Sequence, residues 1–319
     1  MRKHLKFLLL STLLSSAVHA SSFPSRPVSM VVPNPPGGLV DTSARLVSDL
    51  FGKALGGTVV VENKDGGSGN IAYRHVAKAR PDGHTLLVSY SAYHVGNPAL
   101  TKNLPWAPAD FVPVGLVTVS TNVIAVHPSI PGDTLQDLIK YLKEGSAEVN
   151  YASQGVGSLS HIGTEIFKLQ TGTNITHIPY RGSGAAIQDV VAGNVQIFIT
   201  TPPSVMGYVQ GGQLKGLAVA SDKRHPMLPE VPTTAEAGLP EFTLNAWVGI
   251  FAPRDTPEDV LRQLSAALET AVNDPAVQER AAGAGIEARF EAPDVLQARV
   301  DEELAYWAKT IEAAGIQAE

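Results

Sequence analysis

Two stretches decide the fold: Ser29-Met30-Val31-Val32-Pro33-Asn34-Pro35-Pro36-Gly37-Gly38 and Val149-Asn150-Tyr151-Ala152-Ser153-Gln154-Gly155-Val156-Gly157-Ser158. Each begins as a β-rich apolar run, breaks on proline or glycine, and gives way to apolar residues at helical spacing, over 41–55 and 159–170 respectively. Outward from the first stretch, residues 58–62 read as a second strand, Asp65-Gly66-Gly67-Ser68-Gly69 as a turn, 70–79 as a helix and 85–90 as a third strand. Outward from the second, 174–178 reads as a strand, Tyr180-Arg181-Gly182-Ser183-Gly184 as a turn, 185–192 as a helix and 196–200 as a strand. The order βαβαβ thus occurs twice, with glycine-rich loops after the first and second strands of each unit. Such repetition predicts an α/β protein of two lobes, each a mostly parallel sheet flanked by helices. Ligands of open α/β sheets bind beyond the carboxyl ends of the strands, so facing lobes would place four loops around one cleft.

Residues 111–127 form a long β-rich run that can leave one lobe and enter the other, and 244–252 is a candidate return crossing. Two crossings allow closure by hinge motion. Residues 257–274 and 293–314 read as amphipathic helices with Asp and Glu toward their starts, and they are expected to pack on the first lobe. The expected organisation is a signal peptide over 1–20, a first lobe from 21–120 plus 232–319, and a second lobe over 121–231.

The N-terminus carries Arg2, Lys3 and Lys6, then an apolar run over 7–18 and the small-residue ending Val18-His19-Ala20. That order is the pattern of a cleavable secretory signal, and the run is shorter than the roughly 20 residues that span a bilayer. The chain of 319 residues contains no cysteine, which removes disulfides, thiol nucleophiles, thiolate metal sites and the lipid attachment point of a bacterial lipoprotein. The expected location is therefore the periplasm, free of a lipid anchor. With 44% hydrophobic and 17% charged residues the chain can bury a sizeable core. Its formal charge is −6, and removal of the basic N-terminus makes it more negative still. That balance argues against nucleic acid and leaves local dipoles, not the overall field, to hold any anion.

Glycine loops that open helices suit an anion, because a helix start exposes unpaired N–H groups and carries about half a positive charge. Glycine also lets the backbone come close; the plain alternative is that these glycines only make tight turns. Arg181 is a candidate partner for a second carboxylate or simply a solvated surface charge, and His161 a hydrogen-bonding or a packing residue. Asp41 is expected to cap the helix from 42 to 55 and orient the loop rather than touch an anion. Tyr90 and Tyr93 sense ligand shape only if their rings face the cleft.

Two enzymatic readings compete. Gly67-Ser68-Gly69-Asn70-Ile71-Ala72 fits G-x-G-x-x-G/A, yet the acidic residue expected about 20 positions on is replaced by the run Tyr90 to Tyr93. Ser158, Ser160 and His161 beside a glycine loop suggest a hydrolase, but no G-x-S-x-G elbow frames either serine. No H-x-x-x-H pair points to a metal enzyme. The reading is therefore a binding protein with no cofactor, no metal and no catalytic residue.

The loops, with further landmarks, resemble one family. The landmarks are Pro33 to Gly38 with Asp41 and Ala44-Arg45, Val61-Glu62-Asn63-Lys64, Pro81-Asp82-Gly83-His84-Thr85-Leu86, and Asn103-Leu104-Pro105. They continue with Tyr151-Ala152-Ser153, Gly155, Gly157 and His161, then Pro179-Tyr180-Arg181-Gly182 and Leu228-Pro229-Glu230-Val231-Pro232-Thr233. Their order and spacing are similar to those of the periplasmic solute-binding proteins of tripartite tricarboxylate transporters, also called the Bug family, over almost the whole mature chain. The resemblance implies a periplasmic binding protein of the Venus-flytrap, type II-like kind. It also implies a monomer that captures a di- or tricarboxylate, an acidic amino acid or an aromatic acid and passes it to membrane permease subunits; service to a signalling system is the alternative. On this basis Asn34, Gly37, Gly38 and Asp41 form one wall, and Ser153, Gly155, Gly157, Ser158 and His161 the opposite one. Tyr90, Ser91 and His94 close one side, and Tyr180, Arg181, Gly182 and Ser183 the other. Two positions depart from the pattern: Asn34 stands where the family more often has an aromatic residue, and Gln196 where it commonly has Asp.

Overall fold

In the computed structural model, residues 23–145, 148–313 and 315 are described; the expected signal peptide lies outside them. Two sheets organise the chain. Among the described residues, sheet A has six strands and sheet B has five. In sheet A, β1 (Val28–Val32), β2 (Val59–Asn63) and β3 (Thr85–Tyr90) are parallel, joined by α1 (Leu39–Leu55) and α2 (Asn70–Ala77). In sheet B, β6 (Asn150–Ser153), β7 (Thr176–Pro179) and β8 (Ile197–Thr200) are parallel, joined by α5 (Leu159–Thr171) and α6 (Ser183–Val191). The two units share one spatial order, second strand, first strand, third strand. All four glycine loops therefore leave carboxyl ends of parallel strands.

The sheets are mixed rather than mostly parallel, and the crossings are the reason. The strand β4 (Phe111–Thr121) lies in sheet A, Asn122 follows it, and β5 (Val123–Val126) enters sheet B. The chain must then come back, and β10 (Asn245–Pro253) returns antiparallel to both β4 and β3. In sheet B, β5 is antiparallel to β8 and to β9 (Lys215–Val219). A short hydrogen-bonded ring ties the crossings together: the Asn122 side-chain N–H donates to the Leu244 carbonyl at 2.9 Å, Leu244 N–H to the Ala220 carbonyl at 3.0 Å, and Ala220 N–H to the Asn122 carbonyl at 2.8 Å. Asn122 is buried, so these bonds are shielded from water. Beyond residue 231 the chain still follows sheet B, with Thr233 bridged to Val219 and Thr234 N–H donating to the Val219 carbonyl. The return crossing thus falls at Leu244 and Asn245, later than the expected boundary, because hydrogen bonds to β9 hold the segment in place.

The C-terminal helices α8 (Glu258–Val272) and α10 (Pro293–Ala313) pack on sheet A against β4, as their amphipathic spacing predicts. Between them lie α9 (Pro275–Gly283) and the short β11 (Glu287–Ala288). The remaining helices are α3 (Asn97–Leu100), α4 (Leu135–Glu144) and α7 (Pro202–Gln210). Among the described residues no helix is long and apolar enough to cross a membrane.

Candidate functional site: a cleft between glycine loops

The lobes approach each other through these loops. A Cβ on Gly38 would sit 3.3 Å from the Ser183 hydroxyl, and one on Gly182 would sit 3.1 Å from the Pro35 ring. One on Gly157 would come within 2.9 Å of Asn97 Oδ1 and 3.2 Å of Leu100. The Ser68 hydroxyl donates to the Val156 carbonyl at 2.6 Å. Side chains at these glycines would hold the lobes apart.

On the lobe 1 wall, α1 starts at Leu39 with Gly38 as its N-cap. Asp41 thus lies in the first turn rather than ahead of the helix, because apolar Leu39 and Val40 are buried and the helix starts three residues before the expected position 42. Its carboxylate accepts from Gly37 N–H at 3.1 Å, from Arg45 Nε at 3.0 Å and from the Asn63 amide at 2.9 Å. Burial pushes its pKa up, but the bonds from Arg45, Asn63 and Gly37 outweigh that and hold it below the usual carboxylate range. Asp41 is therefore charged and occupied, and it shapes the loop. Asn63 also donates to the Asn34 carbonyl at 2.9 Å. The Asn34 side chain donates to the Tyr93 hydroxyl at 3.2 Å, while its Oδ1 is buried with no partner.

On the lobe 2 wall, Ser158 caps α5: its hydroxyl accepts from His161 N–H at 3.4 Å and donates to the Gly155 carbonyl at 2.7 Å. Gly157 N–H donates to His161 Nδ1 at 3.2 Å, and the His161 ring stacks on His177 at 4.2 Å. The Ser153 hydroxyl accepts from Gly155 N–H at 3.1 Å and lies 2.6 Å from His177 Nε2. Burial, then the neighbouring His161, lowers the His177 pKa to about 4, so that ring is neutral at physiological pH. Gln154, which the sequence reading passed over, joins three elements. Its N–H donates to the Ser160 hydroxyl at 2.9 Å, and its amide donates to the hydroxyls of Ser183 at 2.7 Å and Thr200 at 3.2 Å.

Several expected site residues lie elsewhere. His94 is buried in an aromatic cluster, stacked on Phe251 at 4.5 Å and bonded to the Ser89 hydroxyl at 2.9 Å; burial pulls its pKa down to about 3. Ser91 accepts from Trp247 N–H at 3.2 Å and pins β10. The Tyr180 hydroxyl donates to Asp189 at 2.7 Å along α6, although its backbone adjoins Gly155. Arg181 is exposed. Gln196 lies at the amino end of β8, accepting from Asn150 N–H at 3.0 Å, which is the end of the sheet away from the loops.

Four helices start at these loops, and they start differently. Ser158 caps α5, whereas α1, α2 and α6 begin after Gly38, Gly69 and Gly182 with no side-chain cap. The starts of α1 and α6 come together from opposite lobes at Gly38 and Ser183. The Asp41 carboxylate in its first turn partly offsets the positive end of α1, whereas the first turn of α6 carries no acidic residue.

Two α/β lobes, joined by two crossings and closed over such loops, define a two-lobed periplasmic binding protein. The model of the Tripartite tricarboxylate transporter family receptor matches residues 43–316, and the chain belongs to that family. It is 35% identical over 304 residues to the protein BugT of Bordetella pertussis, covering 95% of this chain and 93% of that one. Among solved structures, an R. palustris protein with adipate is 33% identical with a TM-score of 0.88, over 92% of this chain and 99% of the other. MatC from Rhodopseudomonas palustris with bound malate is 34% identical with a TM-score of 0.85, over 91% of this chain and all of MatC (100%).

Proposed function

We propose that this chain captures a small dicarboxylate in the cleft of the periplasmic binding fold, in the periplasm, and delivers it to the membrane permease of a tripartite tricarboxylate transporter. The observation that carries the reading is the pair of uncapped helix starts, α1 and α6, presented from opposite lobes at Gly38 and Ser183. A carboxylate at a helix start gains about 0.3 to 2 kcal/mol, and hydrogen bonds to a charged group contribute about 1.5 to 3 kcal/mol each. A ligand with a carboxylate for each end reaches the roughly 8 kcal/mol of micromolar binding with a few such contacts. Adipate and malate, the ligands of the two solved relatives, are both dicarboxylates.

No chemistry on the ligand is proposed. In the shortest serine–histidine contact among the described residues, Ser153 to His177, the Ser153 hydroxyl already holds the loop through Gly155. A nucleophile needs a hydroxyl free to reach a carbonyl.

The test is calorimetric titration and thermal unfolding with malate, adipate and matched monocarboxylates. The expected result is saturable binding of at least one dicarboxylate, with a rise in melting temperature that grows with its concentration and a weaker effect from the monocarboxylates. Equal responses to mono- and dicarboxylates would refute the bridging of two helix ends.

A further inference from the structure

The outer face of α2 carries a charged surface that the cleft does not explain. Ile71, Arg74, His75 and Lys78 follow the spacing of one helical stripe, opposite the buried Ala72, Tyr73 and Val76. With Arg26, Lys64 and Arg80 they line a groove of about 750 Å³. Five of these residues are lysine or arginine, on a chain of formal charge −6. Asp82 holds Arg26 at 3.1 Å and Arg80 at 3.6 Å, and Glu62 holds Lys64 at 3.5 Å. Arg74 and Lys78 make no ion pair among the described residues, and Ile71 beside them is 49% exposed.

Two unpaired cations flanking an exposed isoleucine complement an acidic segment that carries an apolar side chain. The groove is shallow, and Lys64 on its rim directly follows β2, an edge strand of sheet A. An acidic protein loop with one apolar side chain can pair with Arg74 and Lys78 and cover Ile71 at once. The same helix adjoins the interlobe contact: Ser68, at φ +52°, directly precedes its N-cap Gly69, reaches Val156 of lobe 2, and has its carbonyl held by the Asn97 amide at 2.9 Å. Opening of the lobes breaks the Ser68 bond at the head of α2, so a partner seated on this groove contacts an element positioned by closure.

We propose that the α2 groove is the docking surface for an acidic segment of the membrane permease and that it reads the closed state. This inference rests on the delivery reading above. Its test is uptake of labelled malate and adipate by cells lacking the chromosomal copy and supplied with this chain or its Arg74→Glu, Lys78→Glu double variant. The variant is expected to keep the wild-type melting shift with whichever probe the purified protein binds, while uptake of that probe falls at least tenfold. Arg74→Lys with Lys78→Arg restores it. Uptake equal to wild type in the charge-reversed protein overturns the docking surface, and so does loss of the melting shift along with uptake, since binding itself would then be damaged. Patch-dependent binding of the wild type to phosphatidylglycerol vesicles would assign the groove to lipid and overturn it too. If wild type neither binds the probes nor restores uptake, the delivery reading fails and the docking reading falls with it, a pattern distinct from a defect confined to the variant.

Discussion

The first glycine loop of lobe 1 and its counterpart in lobe 2 occupy equivalent places in equivalent units, yet they are stabilised in opposite ways. In lobe 2 the loop from Ser153 to Ser158 satisfies itself: Ser158 caps α5, Ser153 and Ser160 accept loop N–H groups, and Gln154 ties the loop to Ser183 and Thr200. In lobe 1 the loop from Pro33 to Gly38 is held from behind by Asp41 and Asn63, its helix has no side-chain cap, and Asn34 Oδ1 is buried without a partner. A buried acceptor without a donor costs about 1 to 3 kcal/mol. The difference teaches that side chains within the loop order the lobe 2 turn, whereas residues behind the loop order the lobe 1 turn.

The largest expected effect comes from wedging the two loops apart. Gly157→Val places a side chain against Asn97 and Leu100 of lobe 1 at φ +78°, and it should abolish the melting response to malate and adipate. Gly172→Val, at the other end of α5, is the control: φ is +64° there, but nothing lies within 4 Å. Both variants carry the backbone strain of a left-handed residue, about 1 to 2 kcal/mol. Only the first should lose the ligand response, and loss in both would assign the effect to strain instead of to the interlobe contact.

A smaller effect separates the self-satisfied loop from the open one. Ser158→Ala removes a real cap and should lower stability by about 0.5 to 2 kcal/mol in urea unfolding, with dicarboxylate binding retained. Gly38→Ala changes an uncapped start whose φ of −94° suits any residue, so it should leave unliganded stability nearly unchanged while weakening binding through the Ser183 contact. Reversal of these two outcomes would erase the contrast between the walls.

The smallest effect is on pH dependence. His177 in lobe 2 has its pKa lowered to about 4 and His94 in lobe 1 to about 3, against about 6.5 in an unfolded chain. Below pH 6.5 the unfolded chain binds protons that the native rings refuse, so stability falls as pH drops through these windows. His177→Gln should flatten the melting profile between pH 6.5 and 4 while the contribution of His94 continues to about pH 3. An unchanged slope in that variant would remove His177 from the acid response.

Much of the architecture was readable because apolar runs, glycine breakers and helical spacing are local signals. The strand at 85–90 and the helix starting at 159 fall where their sequence signals place them. The crossing at 111–127 was readable as one long strand, but its division at Asn122 depends on bonds to Leu244 and Ala220, more than 90 residues away. The structure brings Gly38, Gly157 and Gly182 to the interlobe contacts and turns several of the expected polar side chains elsewhere. His94 follows the third strand as a ligand residue would, yet its ring turns into the core, and nothing in its neighbours' identities reports the presence of Phe251. Gln154 lay inside a quoted loop and was missed because a lone glutamine carries no pattern. Ser68 was missed because a serine at positive φ is uncommon and has no sequence mark.

By itself the amino-acid sequence determined two βαβαβ units, the four glycine loops at the ends of their strands, and the absence of cysteine chemistry, because each follows from residue type and spacing along the chain. Only the tertiary structure decided which loops meet, which helix starts stay uncapped at the meeting point, and which polar side chains hold the walls instead of facing the cleft. Those outcomes depend on hydrogen bonds between residues far apart in the chain, and sequence spacing carries no record of such partners.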